Sequence, residues 1–328
     1  MATGDAAATP VNGDVEFLVP VNIGGQTLNM DFDTGSSDMW VFSTSLPEQD
    51  QTGHTVFDTQ QSSTFSLLQG ARFSISYGDG SDAEGAVGTD TVNIGGATVT
   101  SQAVEIATAV SSSFVQDTAN SGLVGLAFSK LNTVQPQQQK TFFDNVIPDL
   151  EEPVLTADLR HDAVGAYEFG TIDTTKFSGE LSWADVNTTN GFWQFSSSSF
   201  AIGDGQVTQL PAEGQAIADT GTTLMLVDPN IVNAYYSQVS GAVNDQQAGG
   251  VTFPCDSDLP DLSVDIGGNY QAVIPGSLIN FTQVSGNTCF GGVQATTGDL
   301  SIYGDILFKA QFVVFNGGNN TIGMAPHQ

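Results

Sequence analysis

Along most of the chain apolar and polar residues alternate in short runs, broken every few positions by Gly, Asn, Ser or Thr. Successive side chains of a strand point to opposite faces, so this two-residue period with Gly-rich breaks predicts strands joined by tight hairpins. Leu28, Met30 and Phe32 form one alternating set, and Phe73 with Ile75 another. The string Val21-Asn22-Ile23-Gly24-Gly25 recurs at Val92 to Gly96 and, nearly, as Val264-Asp265-Ile266-Gly267-Gly268. In each, the Gly pair supplies the positive φ angles that a tight hairpin turn requires. Helices are few. One is expected from Pro229 to Ser240, capped by Asp228 and ended by Gly241, with Ile231, Ala234, Tyr235 and Gln238 on one face. A second, short one is expected over Thr141 to Val146, ahead of Pro148. The pattern predicts an all-β protein with few short helices.

At 328 residues the chain exceeds the usual single-domain size, and two lobes are expected, residues 1–180 and 181–328. Six Lys and Arg against 36 Asp and Glu give a formal net charge of -30 at pH 7. Such a field repels phosphate backbones and anionic headgroups, which argues against nucleic-acid and membrane partners. It also points to an acid habitat, because protonation relieves the self-repulsion of a compact, carboxylate-rich chain. No apolar run is long enough to span a bilayer, and Met1 to Thr9 is too small and polar for a secretory signal, so a mature form with a start methionine is expected. The only cysteines, Cys255 and Cys289, suit one disulfide in an oxidising compartment, and the Asn-x-Thr sequons at Asn187, Asn280 and Asn319 agree with secretion.

The chemistry sits in a repeat: Phe32-Asp33-Thr34-Gly35-Ser36 returns as Ala218-Asp219-Thr220-Gly221-Thr222, one copy in each half. Both follow an apolar strand approach, alternating in the first copy and Ala216-Ile217 in the second. Both lead through a hydroxyl residue into an apolar run. A carboxylate at such a turn points outward, Gly35 and Gly221 let the backbone bend, and the hydroxyls of Ser36 and Thr222 can hold the carboxylates in plane. Thr34 and Thr220 are placed to lock two such tips together. Two carboxyls sharing one water cannot both ionise, so the pair keeps one proton and is acid and base at once. That arrangement hydrolyses a peptide bond without a covalent intermediate, a metal or a cofactor. A lone Asp-Thr-Gly is ordinary turn chemistry; two copies in matched strand contexts are not.

Rival chemistries fit less well. Asp31-x-Asp33 suits a magnesium-dependent phosphotransferase only beside phosphate-cradling loops or cations, and the basic residues are scattered. His54, His161 and His327 lack metal-ligand spacing. A glycosidase holds its two carboxyls about 5 Å or more apart, whereas a shared proton needs near contact.

With these motifs the chain resembles the pepsin family of aspartic proteases over essentially its full length, most nearly the secreted, penicillopepsin-like fungal members. Leu123-Val124-Gly125 and Ile302-Tyr303-Gly304 match the family's two apolar-apolar-Gly segments beside the catalytic turns, and Ile75-Ser76-Tyr77-Gly78-Asp79-Gly80 matches its flap. The resemblance implies a bilobal fold of two barrel-like lobes around a cleft. It implies Asp33 and Asp219 as catalytic pair, a disulfide between Cys255 and Cys289, and Trp40 bonded to the flap residue Tyr77. It further implies a pocket of Tyr77, Asp79, Phe114, Asp117 and Leu123 that favours bulky apolar side chains, with Asp79 able to pair a substrate lysine. Backbone donors come from Gly78 and Asp79 as the flap closes. A monomeric, extracellular enzyme made as a zymogen, acting on peptides and held by pepstatin-type inhibitors, completes the expectation. Asn120-Ser121-Gly122 stands where many relatives carry an acidic residue before the Gly, Asp31 is uncommon at its position, and Asp82 with Glu84 makes this flap unusually acidic.

Overall fold

A computed structural model describes all 328 residues. Met1–Val11, Phe17–Thr156 and Val164–Ile172 form one compact unit; Asn12–Glu16, Ala157–Ala163 and Asp173–Gln328 form a second. Strands dominate both, and the helices are short. This is the all-β architecture with few short helices that the two-residue period predicts.

In the first unit the strands Glu16–Ile23 and Gln26–Asp33 pair with Ile23 opposite Gln26, so Gly24 and Gly25, at φ +54° and +86°, are the whole turn. Gly95 and Gly96 do the same between Asp82–Ile94 and Ala97–Val110. The third Gly pair differs: Ile266 pairs with Tyr270, so Asn269 joins Gly267 and Gly268 in a three-residue loop. One device recurs in all three, a side-chain oxygen of Asn22, Asn93 or Asp265 accepting the second glycine's N–H. The alternation reads onto the core as expected, with Leu28, Met30 and Phe32 buried and Asn29 exposed.

Both short helices form. Thr141 caps Phe142–Val146 by accepting the Asp144 N–H, and Asp228 caps Pro229–Tyr236 by accepting that of Asn230. The second stops at Tyr236 rather than Ser240; tighter turns carry the chain from there to Gly241, at φ +83°. Its buried face is Ile231, Val232, Tyr235 and Tyr236, while Gln238 is exposed. The two tyrosines explain the rotation, since each buries its ring and donates its hydroxyl to a carbonyl, Tyr235 to Pro260 and Tyr236 to Val293. Cys255 and Cys289 form a disulfide in the second unit. No helix is long and apolar enough to cross a membrane.

Candidate active site

Each Asp-Thr-Gly turn lies at the end of a strand gripped on its parallel side. In the first unit Gly122–Gly125 runs parallel to the end of Gln26–Asp33, with Phe32 opposite Val124, and antiparallel to Met39–Val41, with Met39 opposite Val124. In the second, Leu300–Tyr303 runs parallel to Gln215–Ala218, with Ala218 opposite Tyr303, and antiparallel to Met225–Val227, with Met225 opposite Tyr303. The register is the same in both. Gly125 and Gly304 close the crossing. A Cβ on Gly125 would stand 2.4 Å from the Asp38 nitrogen, and one on Gly304 would stand 2.2 Å from the oxygens of Leu224 and Thr222. Only glycine fits such contact with backbone atoms.

The carboxylates are held alike. Asp33 Oδ1 accepts the Gly35 N–H at 3.0 Å and Oδ2 the Ser36 hydroxyl at 2.6 Å. Asp219 Oδ1 accepts the Gly221 N–H at 2.9 Å and Oδ2 the Thr222 hydroxyl at 2.7 Å. Asp33 is buried and Asp219 half-buried, with Thr34 and Thr220 buried beside them. An amide donor on one oxygen and a hydroxyl donor on the other fix the plane of each carboxyl.

Around Asp33 the first unit gathers the other expected residues. The strands Ser66–Ser76 and Asp82–Ile94 form a hairpin whose tip, 77–81, is closed by the Tyr77 N–H bonded to the Ser81 oxygen and the Gly80 N–H to that of Tyr77. The return strand begins at Asp82. Trp40 Nε1 donates to the Tyr77 hydroxyl at 2.9 Å. Phe114 packs edge-on against both rings, centroids 5.0 Å from Trp40 and 5.9 Å from Tyr77, and Leu123 is buried in the same cluster. Burial, then the nearby Asp33 charge, push the Tyr77 phenol well above its ordinary range, so it stays a neutral hydroxyl. Gly78 and Asp79 are exposed at the tip, and Asp79 Oδ1 takes the Ser81 N–H at 2.9 Å and the Ser81 hydroxyl at 2.5 Å. Asp117 ends the helix Ser112–Gln116 beside Phe114, with its Oδ1 buried and met by no donor.

One polar group beneath the Asp33 turn escaped the sequence reading: Ser37, Asp38, Glu105, Asn132 and Thr133. Asn132 Nδ2 donates to the Ser37 oxygen at 3.0 Å, and Asp38 Oδ1 accepts the Thr133 N–H at 2.9 Å. Met39 N–H donates to Glu105 Oε2 at 3.3 Å. The sequence signal for it is a mismatch between the two turns, Asp38-Met39-Trp40 in one against Leu224-Met225-Leu226 in the other.

Fold and site together define an aspartic endopeptidase of the pepsin type, and the chain belongs to the eukaryotic aspartyl protease family, whose sequence model matches residues 16–327. It is 52% identical over 330 residues to a putative aspergillopepsin A-like aspartic endopeptidase of Aspergillus fumigatus, covering 98% of this chain and 77% of that one. It is 51% identical over 325 residues to aspergillopepsin-1 of Aspergillus oryzae, covering 98% and 79%. With penicillopepsin-1 of Penicillium janthinellum the identity is 50% over 327 residues, covering 99% of each.

Proposed function

We propose that Asp33 and Asp219 are the catalytic pair of a secreted, monomeric endopeptidase working at acid pH, one contributed by each of the lobes 1–180 and 181–328. The observation that carries this reading is the matched restraint of the two carboxylates, amide on one oxygen and hydroxyl on the other, in turns of identical register. Aspartic proteases are the standard example of two such groups sharing one proton, and the titration belongs to the pair. The ionised member takes a proton from water as the water oxygen attacks the scissile carbonyl, and the protonated member donates to the carbonyl oxygen. No metal or cofactor enters these steps. The net charge of -30 favours the acid range, where part of it is neutralised.

The hairpin tip is the flap. Closing over a bound peptide, it excludes water and offers the N–H groups of Gly78 and Asp79. The apolar wall of Trp40, Phe114 and Leu123 favours bulky apolar side chains next to the scissile bond, by roughly 1.5 to 3 kcal/mol each on burial. Asp79 keeps Oδ2 for a substrate lysine while Ser81 holds Oδ1. Asp79→Ser is expected to lose cleavage after Lys at least tenfold and to keep cleavage after Phe or Leu; equal loss of both assigns Asp79 to flap structure alone. The reading as a whole is tested by digesting denatured protein at acid pH. Wild type is expected to cut and to be blocked by a pepstatin-type inhibitor, and Asp33→Asn, though folded, to be inert.

A further inference from the structure

Asp38 and Glu105 are two acids with no exposed surface to speak of, 0% and 1%, directly below the Asp33 turn. Both Asp38 oxygens accept from Thr133, Oδ1 from its N–H and Oδ2 from its hydroxyl, so Asp38 is placed as the acceptor of the two acids. Glu105 Oε2 likewise accepts, from the Met39 N–H at 3.3 Å and Asn132 Nδ2 at 3.4 Å. Glu105 Oε1 is buried and meets no N–H or O–H. The Glu105 and Asp38 carboxyls interact, and two bare carboxylates do not hydrogen-bond; a proton on Oε1 satisfies that oxygen and the contact together.

We infer that Glu105 and Asp38 form a second proton-sharing acid pair, Glu105 Oε1–H donating to the Asp38 carboxylate, and that this proton positions the Asp33 turn. The pair reaches the far end of the turn through Asn132, whose Nδ2 ties Glu105 Oε2 to the Ser37 oxygen, and through Asp38 itself, whose backbone carbonyl accepts the Gly125 N–H at 2.9 Å. Burial, then the hydrogen bond to Asp38 and its charge, hold the Glu105 carboxyl well above the ordinary carboxylate range. The charges that act most strongly on Glu105 and the neighbouring Tyr77 are those of Asp33, Asp38 and Glu105, all of them acids. Because the folded value is raised, the stabilisation is complete below the unfolded value and is lost as pH rises through the folded one. Glu105 and Asp38 are positioning residues, and they set a limit on the neutral side that is separate from the titration of Asp33 with Asp219.

The inference rests on Asp33 being catalytic only for its effect on rate, so the primary readout is unfolding, which needs no activity. Glu105→Gln copies the protonated acid, its amide donating to Asp38 and its oxygen accepting from Met39, at every pH. Thermal unfolding is followed from pH 4 to 8 for wild type, Glu105→Gln, Glu105→Leu and Asp33→Asn. Wild type and Asp33→Asn are expected to lose stability together as pH rises, and Glu105→Gln to shift that loss upward by about one pH unit. Glu105→Leu is expected to cut kcat at pH 4 at least tenfold with little change in KM, and Glu105→Gln to restore most of it. A Glu105→Gln profile that superposes on wild type, or falls at lower pH, overturns the inference. Should the Gln variant not fold, difference infrared of wild type at pH 6 decides: a carboxylic-acid carbonyl band that persists in Asp33→Asn supports the pair, and its absence overturns it.

Discussion

At Asp33 and at Asp219 the same two donors restrain a carboxylate, yet five residues further on one turn carries Asp38 over Glu105 and the other carries Leu224. The first turn is thus built on a buried acid pair, the second on apolar packing and on Tyr303, whose hydroxyl lies 2.6 Å from that of Ser197. The units differ in the same sense at large. In the first, Glu105 is raised by burial and is most stabilising in acid. In the second, burial opposes ionisation of Asp14, but the His161 hydrogen bond and Lys309 outweigh it and lower its pKa; Asp158 is lowered against the same burial by His327 and Arg160. Those ion pairs are complete above the ordinary carboxylate range and fail as pH falls through the lowered values. The two units therefore bury carboxyls whose contributions to stability respond to pH in opposite directions.

The largest expected effect tests the chemical equality of the turns. Asp33→Asn and Asp219→Asn should each lower kcat/KM on the order of 10⁴-fold, measured on a peptide at acid pH; a variant that keeps a tenth of the activity would remove its residue from the pair. Next comes the difference in support. Lys309 Nζ lies 3.1 Å from Asp14 Oδ2 with both side chains buried, so Lys309→Met should cost about 3 to 5 kcal/mol of unfolding free energy at pH 5 and progressively less towards pH 2. A cost that is flat across that range would contradict the assigned sign. Gly125→Ala and Gly304→Ala force a Cβ onto backbone atoms at equivalent crossings and should destabilise by similar amounts, roughly 3 kcal/mol, in denaturant titrations. Smallest are Ser36→Ala and Thr222→Val. Each removes the hydroxyl that holds one carboxyl of the proposed pair in plane, a bond worth about 0.5 to 1.5 kcal/mol, and should lower kcat/KM on the same peptide by up to about tenfold.

The turns themselves were legible in the sequence, because strand, carboxylate, Gly and hydroxyl fall within a few consecutive positions. The hairpin of Tyr77, its bond from Trp40 and the disulfide followed from family resemblance rather than from spacing. What sequence hid was non-local. Asn132 bonds Ser37 and Thr133 bonds Asp38 across a separation of 95 residues, and no periodicity announces such partners. The helix after Pro229 shows the local limit: Tyr236 could be read as surface or core, and only the Val293 carbonyl, which takes its hydroxyl, decides for the core. The third Gly pair predicted a hairpin correctly but not the extra Asn269 in its loop.

The central claim is that two equivalent turns act as one acid and base. The most direct measurement is a crystal structure at acid pH of the protein bound to a pepstatin-type inhibitor, whose hydroxyl stands in for the attacking water. The account predicts that hydroxyl within hydrogen-bond distance of both Asp33 and Asp219, with the Tyr77 hairpin folded over it. An inhibitor bound elsewhere, or touching one carboxyl while the other lies out of reach, would contradict it.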